Sequence, residues 1–188
     1  MEFVRFLQNR VFNPQPIPGS LVESSFHATV RDVRYHFPSL TEDDIRRRVE
    51  SGENELAVFL FRLGQHLLSE NDARLRSQIH WLLKEMCSCE IYFNNVIDVG
   101  LYVVHGEGTV IGSRNRIGRG FKVHHGCTVG HRSNAGGAGN SIGNNVTMYC
   151  NSSVVGELHI GDNVTIGAHV LVTKDVLADE VLTASPNH

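Results

Sequence analysis

An apolar residue recurs every six positions through the second half of the chain. Ile142, Met148, Val154, Ile160, Ile166 and Val172 keep the beat without a break, and Ile111, Ile117, Val123 and Val129 keep it earlier. Glycine often follows the beat, as in Ile111-Gly112, Ile117-Gly118, Ile142-Gly143, Ile160-Gly161 and Ile166-Gly167. A six-residue period fits neither the 3.6-residue helix nor plain strand alternation. Three such hexads close a triangular coil in which every beat points to the axis and glycines turn the corners. Residues 90–188 are therefore expected to form a parallel β-helix, making the chain mainly β.

Composition narrows the function. The chain has 188 residues, a formal net charge of −3 and 41% hydrophobic residues, enough to bury a core and without the basic excess that nucleic acid asks for. Its start, Met1-Glu2-Phe3-Val4-Arg5, lacks the basic and long apolar regions of a signal peptide, and no apolar run approaches the roughly 18 residues of a membrane span. A cytoplasmic protein with no membrane span is expected. Cys87, Cys89, Cys127 and Cys150 include no C-x-x-C pair and read as reduced, packed thiols.

Residues 1–89 follow a different grammar. Thr41, ahead of Glu42-Asp43-Asp44, has the hydroxyl and acidic first turn of a helix start, and a short helix to about Glu50 is expected. Leu56, Leu60, Leu63 and Leu67, then Leu75, Ile79, Leu82 or Leu83, and Met86, recur at helical spacing on either side of the breaker Ser69-Glu70-Asn71-Asp72. Pro14, Pro16, Pro18 and Gly19 argue against one long element before Leu40, which stays partly unassigned. This helical region would cap the solenoid, serve oligomerisation, or do both.

Two breaks in the rhythm carry the candidate chemistry. Between Val103 and Ile111 the register slips by two residues, and His105 sits in the slip. Glu90 lies fifteen residues upstream, nearly one coil back, where a carboxylate can hold one ring nitrogen and leave the other as a general base. A lone histidine in a coil is also commonly structural, and Glu90 reads equally as a solvated acid at the junction. After Val129-Gly130 the beat fails until Ile142, so residues 130–141, rich in small residues, are expected to leave the coil as a loop.

These residues resemble the hexapeptide-repeat, left-handed β-helix acyltransferases, and within them the serine acetyltransferase group. The resemblance runs from about Glu55 to Pro186 and rests on Phe61-Arg62-Leu63-Gly64-Gln65-His66, Glu90-Ile91, His105-Gly106-Glu107-Gly108 and Thr128-Val129-Gly130 at the family's spacing. Handedness follows from the resemblance alone, because left-handed crossovers break the usual rule for parallel strands. The resemblance implies acyl transfer from acetyl-CoA to a hydroxyl without a metal, with His105 as the base and Glu90 as its orienter. It also implies a homotrimer or dimer of trimers. The coenzyme would run beside Gly130, Cys150 and Ala168 and meet Lys174 in place of a basic segment absent after Pro186.

The acceptor side departs from that pattern. Val104 stands where the serine enzymes carry an Asp, and Gly139-Asn140-Ser141 replaces an Arg-His pair at the loop's end. An apolar Val cannot replace a charge-assisted hydrogen bond. His124-His125-Gly126-Cys127-Thr128 is more like the branch that acts on polysaccharides, so a sugar hydroxyl is the expected acceptor, met by Val104, His125 and Asn140, with serine as the alternative. His124 faces away from its neighbour and reads as structural. Two other classes remain: a zinc enzyme of the γ-carbonic anhydrase type using His105, His125 and His131, whose spacing is wider than usual for ligands, and a non-catalytic scaffold.

Overall fold

The computed structural model describes residues 2–68, 72–132 and 137–184. Five helices come first: α1 (Glu2–Gln8), α2 (Gly19–His36), α3 (Glu42–Ser51), α4 (Glu53–His66) and α5 (Ala73–Cys87). Thr41 caps α3 in a reciprocal box with Asp44, as its residue types predict. Asp72 caps α5 by accepting from the Leu75 N–H at 2.9 Å; Ser69, Glu70 and Asn71 of the expected breaker lie outside the described residues.

Helix α2 corrects the reading of the first forty residues. The prolines fall in the connection after α1, and an eighteen-residue helix follows Pro18. Its buried face mixes Phe26, Val30 and Val33 with Ser25, Thr29 and Asp32, so apolar periodicity alone does not mark it. The polar members are satisfied internally: Thr29 Oγ1 donates to the Ser25 carbonyl, and Asp32 accepts from Arg62.

Arg62 of α4 ties the helices to the coils. Its Nε and Nη2 donate to the two Asp32 oxygens at 2.7 and 2.8 Å, and its Nη1 and Nη2 donate to the carbonyls of Ile97 and Asp98. Asp32 Oδ1 also accepts from the Gly100 N–H at 2.7 Å. Nearby, Gly64 lies flat on Phe93, whose ring a Cβ at Gly64 would meet at 2.3 Å.

The coils are built as the hexads demand. The first carries β1 (Glu90–Ile91), β2 (Val96–Ile97) and β3 (Tyr102–Val104), and the second carries β4 (Val110–Ile111), β5 (Arg116–Ile117) and β6 (Lys122–His124). The third carries β7 (Thr128–Gly130), β8 (Ser141–Ile142) and β9 (Thr147–Met148); the fourth carries β10 (Ser153–Val155), β11 (His159–Ile160) and β12 (Thr165–Ile166). A shortened fifth ends the stack with β13 (Leu171–Val172) and β14 (Val181–Leu182). Every third strand pairs in parallel, except that β14 follows β12 where the last coil is short, giving three sheets: β1-β4-β7-β10-β13, β2-β5-β8-β11 and β3-β6-β9-β12-β14. The beat residues from Ile111 to Val172 are all buried on the axis. Cys87, Cys89, Cys127 and Cys150 are free thiols. Burial pushes the Cys89 thiol up to about 12 and raises Cys87 and Cys127 as well, so these three are packing groups and not nucleophiles. No helix among the described residues is long and apolar enough to cross a membrane.

Candidate active site

His105 stands where the first coil lengthens. Val104 pairs with His124 and Val110 with Thr128, so residues 105–109 span a corner that residues 125–127 span on the next coil. The register slip is this two-residue bulge. It puts His105 at φ 51°, in the left-handed region, and turns it to solvent. Asn54, in the first turn of α4, holds the bulge by accepting from the His105 N–H at 2.9 Å. Gly106 is required beside it, since a Cβ there would meet Val103 Cγ1 at 2.8 Å.

The corner below His105 collects several of the named residues. Successive coils stack there through Gly126 N–H to the Glu107 carbonyl, Asn151 N–H to the His125 carbonyl and His169 N–H to the Cys150 carbonyl. His125, Cys150 and Ala168 therefore form one column under His105, with His125 exposed and Cys150 and Ala168 half-buried. Val104 is half-buried at the end of β3.

Glu90 begins β1 just past the same corner, but no hydrogen bond or ion pair joins it to His105 among the described residues. Its carboxylate accepts from Lys84 Nζ at 3.2 Å and lies 3.5 Å from His80 Nε2, both on α5. The His80 contact is not a hydrogen bond, and it becomes an ion pair only when the ring is protonated. Burial lowers the His80 pKa, and the nearby Glu90 charge opposes the shift.

Gly130 and Lys174 belong to a different corner, between the first and second sheets. The Gly130 carbonyl accepts from Asn140 Nδ2 and from the Gly156 N–H, and Lys174 is exposed in a concavity lined by Val170–Val176 and Glu180–Thr183. The described ends of the loop lie along this corner: His131 Nε2 contacts the Ser113 carbonyl at 2.7 Å, and Arg132 Nη2 donates to the Thr173 carbonyl at 2.8 Å. Residues 133–136 of the loop and 185–188 of the terminus lie outside the described residues.

Asn140 is a correction. It is only 1% exposed, and its side chain completes an internal ladder in which Asn115 bonds Asn95 Oδ1 and Asn140 bonds Asn115 Oδ1. Its own Oδ1 accepts from the Leu158 N–H, leaving nothing to meet a substrate. The ladder closes the coil corners where the loop departs. Among the described residues, His105, His125 and His131 form no metal-holding group.

Sequence reasoning missed the outer face of the third sheet. Lys122 and His124 flank the buried Val123 and so both point outward, and His124 stacks on Tyr149 with ring centroids 4.9 Å apart. Strand parity around Val123 was the available signal. Burial lowers the His124 pKa, and Lys122, His125 and His105 push it the same way.

No family model matches the chain. The serine acetyltransferase of Helicobacter pylori is 30% identical over 121 residues, which are 64% of this chain and 71% of that protein. Among solved structures, the serine acetyltransferase of Neisseria gonorrhoeae superposes with a TM-score of 0.74 at 22% identity, covering 89% of this chain and 65% of that one. The Brucella abortus serine acetyltransferase solved with coenzyme A gives a TM-score of 0.74 at 16% identity, over 98% of this chain and 70% of that one. The shared architecture is the left-handed β-helix behind a helical region.

Proposed function

This chain belongs to the serine acetyltransferase family, and from that premise we propose that it transfers an acetyl group from acetyl-CoA to the hydroxyl of L-serine, the step that activates serine for cysteine biosynthesis. The observation that carries the reading is the match to the Helicobacter enzyme over both the coils and the helix that precedes them. His105 is the base. Its bulge exposes an imidazole with no hydrogen-bond partner among the described residues, free to take the serine hydroxyl proton as the oxygen attacks the thioester carbonyl. Collapse of the tetrahedral oxyanion breaks the C–S bond, and the same proton passes from the imidazolium to the departing thiolate.

Glu90 is the proposed orienter of His105. Its neighbour Cys89 lies beside Gly106 in the bulge, where a Cβ would stand 3.5 Å from the Cys89 Cβ, so β1 starts next to the bulge that carries His105; the orienting role requires the carboxylate to leave Lys84. The column of His125, Cys150 and Ala168 is the proposed path of the pantetheine arm, with Gly130 and Lys174 toward the nucleotide end. A homotrimer or dimer of trimers fits the exposed apolar side chains on the coil faces, such as Val96 at 56%, Leu171 at 63% and Val181 at 67%.

The sugar acceptor expected from the loop and His125 gives way to serine, because the matched relatives are serine acetyltransferases and Asn140 is sealed in the core. Thiol release from acetyl-CoA tests the choice: turnover is expected with L-serine, and turnover with sugars or nucleotide sugars in place of serine contradicts it.

A further inference from the structure

Val104 beside the base offers the acceptor no charge. Basic groups line the outer face of the third sheet next to it. Strand pairing sets Tyr102 beside Lys122 and Val104 beside His124, so Lys122 and His124 form the second-coil row next to the bulge that carries His105. Tyr149 continues the row on the third coil and braces the His124 ring by stacking at 4.9 Å. Lys122 Nζ lies 5.7 Å from the centroid of the Tyr102 ring, which steers the ammonium without neutralising it.

Charge on this face is one-sided. The groups whose charge reaches His124 are Lys122, His125 and His105, all basic. Of the nearby acids, Glu55 pairs with Arg48 at 3.1 Å, Glu90 pairs with Lys84 at 3.2 Å, and Glu107 is exposed in the bulge, where its charge acts on Cys89. A row of this kind attracts a carboxylate and repels an ammonium.

We propose that Lys122 and His124 bind the carboxylate of the acceptor, so that this enzyme selects short hydroxy acids by their carboxylate and gains little from the α-ammonium of serine. The inference rests on His105 as the acyl-transfer base and deepens that reading. Both residues are substrate-binding groups; neither moves the proton.

The test compares three acceptors: L-serine, L-serinamide, which keeps the ammonium and lacks the carboxylate, and 3-hydroxypropanoate, which keeps the carboxylate and lacks the ammonium. Thiol release should give similar KM values for serine and 3-hydroxypropanoate and a KM at least about tenfold higher for serinamide, the size expected for losing one charge-assisted hydrogen bond. Lys122→Met and His124→Asn should each raise the serine KM about tenfold and leave the acetyl-CoA KM in place, and Lys122→Arg should recover most of the loss. Equal KM values for serine and serinamide overturn the proposal, as does a shift in the acetyl-CoA KM alone, which would assign the row to the coenzyme's phosphates. An NMR titration of the His124 ring with 3-hydroxypropanoate keeps the two readings separate. Ring shifts without turnover support the carboxylate site and refute the acyl-transfer reading; serine turnover with no ring shift refutes the carboxylate site alone.

Discussion

A single residue out of register decides where the chemistry sits. His105 would lie in the wall of a regular coil, and two extra residues at its corner turn it outward with a left-handed backbone. That much is legible in the sequence, because a slip in a six-residue beat is visible without coordinates. The partners of Glu90 are not legible, since Lys84 and His80 come from a helix whose placement over the first coil no spacing rule gives. Asn140 misleads for a related reason. Asn95, Asn115 and Asn140 are separated by one long coil and one interrupted by the loop, so their shared corner is hidden until the strands are paired. Asn140→Ala should lower stability by about 1–3 kcal/mol, the cost of stranding buried donors and acceptors on Asn115 and Leu158, with the serine KM unchanged. Denaturant unfolding together with steady-state kinetics checks both halves.

At the level of elements, the coils announce themselves and the helices only partly do. The leucine rows of α4 and α5 and the Thr41 box follow from residue pattern. Helix α2 does not, because three of its seven buried residues are polar, and one of them, Asp32, is satisfied only by a partner on another helix. The Asp32–Arg62 pair gives the physical reason: an acid 1% exposed is tolerated on that face because a bidentate guanidinium and the Gly100 N–H meet it. Breaking the pair leaves Arg62 as an unpaired buried charge, so Asp32→Ala should destabilise the fold by about 3–5 kcal/mol, read as a drop in the urea midpoint. A variant that unfolds at the parent's midpoint would show that α2 adds little to the docking of helices on coils.

Across the whole molecule, three partly buried histidines link stability to pH. His66, His80 and His124 each have a pKa lowered from 6.5, with burial the largest cause. The unfolded chain therefore takes up protons first as pH falls, and the stability these rings contribute is full above about 6.5 and is lost progressively below it. The urea midpoint should fall between pH 7.5 and pH 5.5; a flat or rising midpoint would mean these rings protonate in the folded state as easily as in the unfolded one. The fold itself, a helical cap on a left-handed β-helix, positions the exposed His105 imidazole at the head of the column of His125, Cys150 and Ala168. The most direct test is His105→Ala, assayed by thiol release with L-serine alongside coenzyme A binding by calorimetry. A loss of kcat of about 10²–10⁴-fold with coenzyme A affinity unchanged is the predicted result. A kcat close to the parent's, or an equal loss of coenzyme A affinity, would contradict His105 as the base.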